Sequence, residues 1–176
     1  MSHKKLTLCL PILLAACASS PVTPSVAVPD NLRPATGEVP VAVIAAKGVQ
    51  IYECRVKKDQ PSAVEWAFVA PEAELFDRQG KPVGKHYAGP HWESTDGSKI
   101  VGSVKARADA PQAGAIPWLL LATTSAGPSG AFSKTTSIQR VTTVGGVAPS
   151  DGCSPATAGK TARVGYTADY VFFARQ

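Results

Sequence analysis

Beyond residue 40 the chain alternates between apolar and polar positions. In Val49-Gln50-Ile51-Tyr52-Glu53-Cys54-Arg55-Val56, successive side chains of a strand fall on opposite faces. Val49, Ile51, Glu53 and Arg55 then share one face, and Gln50, Tyr52, Cys54 and Val56 the other, with Tyr52 and Cys54 turned to the core. Residues 64–70, VEWAFVA, alternate in the same way and put Trp66 and Phe68 on one side. Residues 116–122, IPWLLLA, are continuously apolar and short, as expected of a strand covered on both faces. Pro117 sits near its start, where a ladder tolerates proline. Residues 135–143 and 164–174 are rich in β-branched and aromatic residues and also predict strands.

Turn residues separate these runs. Asp77-Arg78-Gln79-Gly80-Lys81 and Thr95-Asp96-Gly97-Ser98 have hairpin composition, with glycine at a position that tolerates positive φ. Gly127-Pro128-Ser129-Gly130 and Gly145-Gly146 read as further turns. No segment after residue 40 carries a capped helical stripe. The pattern predicts an all-β fold, an antiparallel sandwich or partly open barrel with few or no helices after the signal peptide.

The N-terminus has a different character. Lys4 and Lys5 precede the apolar run Leu6–Ala15, which is shorter than the ~20 residues that span a bilayer. This is the layout of a cleaved export signal. Leu14-Ala15-Ala16-Cys17 resembles the lipobox of bacterial lipoproteins, which implies cleavage before Cys17 and its acylation. Ala18, rather than aspartate, follows the cysteine; by resemblance to lipoprotein sorting this favours the outer membrane, facing the periplasm. The expected organisation is a signal peptide over 1–16, a Pro/Ser-rich tether over 17–28 and one β domain over 29–176.

The signal peptide also accounts for part of the basic charge. The chain has 18 basic and 13 acidic residues; without Lys4 and Lys5 the balance is 16 to 13. Those charges are scattered, with no nucleic-acid footprint. Of four cysteines, Cys9 leaves with the signal and Cys17 takes lipid, so Cys54 and Cys153 remain. In an exported chain such a pair is expected to form a disulfide; free thiols or a two-cysteine metal site are the alternatives.

No dinucleotide fingerprint, phosphate-binding loop, zinc-protease helix or nucleophile elbow is present. No cofactor or resident metal is expected. The densest chemistry lies in residues 84–99, GKHYAGPHWESTDGSK. A metal site would need His86, His91, Glu93 and Asp96 to converge, although His86 and His91 stand an odd number of residues apart. A hydrolase acting on glycan or ester bonds would use Glu93, Asp96 and His86 as acids and base. The plainer expectation makes Asp96 a turn residue, His91 a solvent-facing strand residue and His86 a histidine bonded to a neighbouring strand. Trp66 and Trp118 are expected in the core. Trp92, flanked by polar residues, is the best candidate for an exposed aromatic, although the core is the leading expectation for it too. His86, Trp92, Glu93 and Arg140 make up the candidate ligand site. If the strands of His86 and Arg140 are neighbours, these two and Glu93 would line one pocket for a small anion or an envelope glycan.

Several segments in fixed order carry a resemblance: GVQIYEC at 48–54, APEAELFD at 70–77, GKHYAGPHWE at 84–93, DGSKIVG at 96–102, IPWLLL at 116–121, SIQRVTTVGGVAP at 137–149 and YTADYVFF at 166–173. The chain resembles the domain of unknown function 3455 family across residues 29–176. The resemblance implies no particular activity. Its motif cysteines match Cys54 and Cys153, which supports their pairing, and its motif histidine matches His86. His91 departs from the motif, which more usually has threonine or another residue there. The sequence thus points to a lipid-anchored envelope protein, a non-enzymatic binding or structural module, with the hydrolase as its rival.

Overall fold

The structure, a computed structural model, describes residues 26–176. The signal segment, Cys17 and most of the tether lie outside the described residues. The remainder is a single antiparallel ring of eight strands in chain order: β1 (Glu38–Lys57), β2 (Gln60–Phe76), β3 (Pro82–Tyr87), β4 (His91–Ser94), β5 (Lys99–Ala108), β6 (Trp118–Ser125), β7 (Ser137–Gly145) and β8 (Thr161–Arg175). Each strand pairs with the next, and β8 pairs back onto β1 from Glu38↔Arg175 to Glu53↔Thr161. The expected all-β antiparallel architecture is present, in its barrel form. Its helical content is two 3-10 turns, Asp30–Leu32 and Pro155–Thr157.

The alternation in the sequence becomes inside and outside of this ring. Ile44, Ala46, Ala73, Leu75, Trp92, Ile100, Leu121, Ile138, Tyr166, Ala168, Tyr170 and Phe172 point inward and form the main core. One end is stoppered by Phe132, whose ring meets Phe172 edge to face at 4.8 Å. Asp96 and Ser98 hold that stopper. Asp96 Oδ2 accepts from Ala131 N–H at 2.8 Å, and Ser98 Oγ accepts from Phe132 N–H at 3.0 Å.

A second cluster lies outside the ring. Leu32, Trp118, Val141, Val171 and Phe173 are buried there, with Val26, Val28 and Leu120 packed against them. The N-terminal segment lies over β5 and β6, so β6 is covered on both faces, as its continuous apolar run requires. Val26 and Val28 belong to this cover, although residues 17–28 were expected to be tether.

The strands differ greatly in length, and this shapes the barrel wall. β1 and β2 have 20 and 17 residues, whereas β3 and β4 have 6 and 4. β3 reaches β2 only between Phe76↔Pro82 and Ala73↔His86. The β1–β2 hairpin therefore overhangs the β3–β4 hairpin and leaves a notch between β2 and β5. Trp66 and Phe68 do share the inner face, since they pair with the inward Cys54 and Tyr52. No wall stands opposite them there. Phe68 is 50% exposed and Trp66 half-buried, its indole N–H donating to the Asp151 carbonyl at 2.7 Å, so the expected core place for Trp66 is not met. Trp118 is buried, in the outer cluster.

Cys54 and Cys153 form a disulfide with Cα atoms 5.3 Å apart. It ties the overhanging hairpin to the segment between β7 and β8. Tyr52 reinforces the tie by donating to the Gly146 carbonyl at 2.6 Å.

Candidate functional site

A cavity of about 410 Å³ opens through the notch. Phe68, Val69, Gly89, Pro90 and Val104 are at its rim, with Gln50, His86, Trp92, Leu119, Leu121, Arg140 and Tyr170 deeper. The sequence explains each position. Gln50 is the polar member of an otherwise inward apolar series on β1. Arg140 on β7 stands directly between Leu119 on β6 and Tyr170 on β8 in the ladder. His86 and Trp92 are cross-strand partners, set by the tight Ala88-Gly89-Pro90 connection.

Three aromatic rings make one wall. His86 stacks on Trp92 with centroids 4.2 Å apart, and Tyr170 meets Trp92 and His86 edge-on at 5.3 and 5.2 Å. Gly102 makes room for this arrangement: a Cβ there would lie 2.8 Å from Trp92 Cζ3.

The His86 ring is neutral. Burial is the main cause and holds its pKa at about 3 against the usual 6.5; the hydrogen bond to the His91 carbonyl opposes this, and the charges of Arg140 and His91 add to it. Its Nδ1 is 2.7 Å from the His91 carbonyl, an acceptor, so Nδ1 carries the proton and Nε2 is left as a base-like acceptor. Burial raises the pKa values of Tyr170, Tyr166 and Tyr52, keeping the phenols protonated. Arg140 Nε and Nη2 both donate to the Pro117 carbonyl, at 3.1 and 2.8 Å, which fixes the guanidinium plane. Among the described residues no carboxylate pairs with Arg140.

Two further groups of the cavity lack partners. Gln50 Nε2 and Trp92 Nε1 are buried and make no well-formed hydrogen bond among the described residues, the Gln50 amide lying beside the Tyr166 hydroxyl. A buried donor left this way costs about 1–3 kcal/mol, so the cavity carries unused hydrogen-bonding capacity.

The structure brings together His86, Trp92 and Arg140, but not as neighbouring-strand residues. β3 and β7 are not adjacent, and the side chains meet across the lumen. Glu93 is not part of the cavity lining. It accepts from the Tyr87 hydroxyl, which is the main reason its pKa is lowered, and lies 3.7 Å from Lys85. Asp96 sits at the stoppered end, its pKa lowered chiefly by the Ser98 hydroxyl. The hydrolase set of His86, Glu93 and Asp96 is therefore not assembled. No three His, Cys, Asp or Glu side chains converge in metal-binding fashion among the described residues. His91 is half-buried at the start of β4, its Nδ1 2.6 Å from the Ala88 carbonyl. Trp92 is 1% exposed, in the core as the leading expectation had it and not an exposed aromatic. Gln50 was absent from the sequence-derived site, although a glutamine at an inward strand position was a readable signal.

A larger, more open groove of about 830 Å³ runs outside β1–β3 and involves Lys47, Glu72, Glu74, Lys85 and Arg163. Its charges are of both signs and are partly paired, Arg163 to Glu72 at 2.8 Å, as on an ordinary solvated face.

Fold and cavity together define an up-and-down β-barrel with one closed end and a lateral chamber of apolar walls and a few polar groups. The family described as "Protein of unknown function (DUF3455)" matches residues 34–174, and the chain belongs to it. No curated protein and no solved structure matches the chain.

Proposed function

We propose that this is a lipid-anchored, non-enzymatic binding module of the bacterial envelope that takes a small, largely apolar molecule into its barrel. The observation that carries the reading is the 410 Å³ chamber, with apolar walls and a few convergent polar groups. That size and lining fit small-molecule sites, which occupy about 300–1,000 Å³. Eight-stranded barrels have an interior able to hold one small ligand.

The envelope location rests on the N-terminal sequence: the basic start, the short apolar run and Leu14-Ala15-Ala16-Cys17. Ala18 favours the outer membrane, with the domain in the periplasm. The disulfide suits an oxidising compartment.

The test uses the full chain carrying Cys17→Ser, which is expected to leave the membrane fraction. Its melting temperature is followed with a panel of alkyl and aromatic acids, alcohols and envelope glycans. Stabilisation that grows with ligand concentration is expected for part of the panel. It should be lost in Leu121→Trp, which fills the chamber. A panel with no stabilising compound overturns the binding reading. Retention of the Cys17→Ser protein on membranes after a high-salt wash overturns the anchor.

A further inference from the structure

We propose that the ligand of this chamber is an amphipathic organic carboxylate. Its head would be held by Arg140, Gln50 and Trp92, and its apolar part would lie against Phe68, Val69, Val104 and Leu121. The inference rests on the chamber being the binding site, as argued above, and adds the chemical class.

Three independent observations converge on that class. The first is charge. Of the thirteen residues lining the chamber, Arg140 alone is charged. His86 donates from Nδ1 to a backbone carbonyl and is neutral. Arg140 is partly buried and has no carboxylate partner among the described residues, and the complement of one guanidinium is one negative charge. A dianionic phosphate would leave a charge uncompensated in the low-dielectric interior. With Nε and Nη2 each donating to the Pro117 carbonyl, the end-on N–H groups of Nη1 and Nη2 remain to meet a carboxylate.

The second is hydrogen-bond polarity. The unpartnered groups, Gln50 Nε2 and Trp92 Nε1, are both donors on side chains 2% and 1% exposed. An ionised carboxylate is acceptor-only and therefore matches them. A sugar hydroxyl could donate to His86 Nε2 but would leave the Arg140 charge without a counter-ion.

The third is the apolar lip. Phe68, Val69 and Val104 are 50%, 50% and 56% exposed, and all three line the chamber. Side chains of this kind left half in water around a mouth fit an alkyl or aryl group that extends out through the notch. They make a bare inorganic anion a poor occupant.

The experiment compares octanoate, 1-octanol, octylamine and octyl phosphate by titration calorimetry on the Cys17→Ser full chain. Octanoate is expected to bind at least tenfold more tightly than the alcohol, the amine and the phosphate ester. In Arg140→Gln the preference for octanoate over octanol should vanish while octanol affinity stays within twofold. Gln50→Leu, which keeps the guanidinium, should weaken octanoate several-fold and leave octanol unchanged. Equal affinity for octanoate and octanol overturns the carboxylate assignment and leaves the binding site standing. Tighter binding of octyl phosphate overturns it in favour of a phosphate ester. A preference that survives both substitutions overturns the assigned head-group residues. Binding of none of the four removes the underlying site along with the proposal. The comparison of ligands on the parent chain decides the class even if Arg140→Gln fails to fold.

Discussion

His86 and Trp92 face each other across β3 and β4, their rings stacked inside the barrel 4.2 Å apart and 17° from parallel. A neutral imidazole against an indole is a compact, flat wall; an imidazolium there would bring a second cation close to Arg140. The pairing therefore helps to keep Arg140 the only charge of the chamber among the described residues.

Stability should report the neutral state of His86. In the unfolded chain its imidazole takes a proton near pH 6.5, whereas burial delays this in the folded protein to about pH 3. Between these values the unfolded state holds the extra proton. The contribution is complete above pH 6.5 and is lost as pH falls toward 3, at up to about 1.4 kcal/mol per pH unit. Urea unfolding at pH 8, 6.5, 5.5 and 5 should show this slope, and His86→Gln should flatten it. Parallel curves for the two proteins would mean that His86 is protonated in the fold.

Gly102 is predicted to be intolerant of a methyl group. The added Cβ would meet Trp92 Cζ3 at 2.8 Å and Leu121 Cδ2 at 3.2 Å. Overpacking of this kind costs about 1–3 kcal/mol, or about 2–4 °C per kcal/mol in melting temperature for a domain of this size. Trp92→Phe in the same chain should relieve part of the penalty, giving a double-mutant coupling of opposite sign to the single effects. Additive effects would show that Gly102 does not act by making room for the indole.

Much of this fold is written in local alternation, but the site is not. The inward set of β1 and the double-sided burial of β6 follow from residue order alone. Alternation assigns Phe68 to the inner face but cannot say whether a wall stands opposite. That depends on β3 and β4 being short, a relationship between strands rather than within one. His86 and Arg140 meet across the lumen because β8 closes on β1, a pairing between the two ends of the sequence. Asp96 was readable as a turn residue from Asp96-Gly97; its grip on a loop 35 residues away was not.

Asp96 is predicted to act as the latch of the closed end. Its Oδ1 accepts from the Ser98 amide and hydroxyl at 2.9 and 2.6 Å, while Oδ2 holds the Ala131 amide. Its lowered pKa means the contribution is complete above its usual value of 3.8 and fades as pH falls below it. Asp96→Ala should lower the melting temperature at neutral pH and speed amide exchange around residues 130–133. Phe132→Ala should cost about 3–5 kcal/mol through loss of the stopper itself. Unchanged exchange in Asp96→Ala would show that the loop is held by other contacts.

The Cys54–Cys153 bridge is predicted to stabilise the open end rather than the barrel floor. It spans 99 residues of sequence, for which loop closure in the unfolded chain amounts to about 4–5 kcal/mol, and removal of a native disulfide commonly costs 2–5. The bridged segment is also held by Trp66 on the Asp151 carbonyl and by Tyr52 on Gly146. Gly146 lies against Gln50 and Tyr166, where a Cβ would come within 3.2 and 2.8 Å of them. Loosening this segment therefore disturbs the chamber from above. The double substitution Cys54→Ala, Cys153→Ala should destabilise the chain by about 2–5 kcal/mol in urea. Amide exchange should rise in residues 146–160 and remain slow in residues 98–102 and 130–138. Peptide mapping without reductant should find the two cysteines linked; two alkylatable thiols in protein purified without reductant would reject the bridge. Equal loosening at both ends would show instead that the disulfide supports the whole barrel.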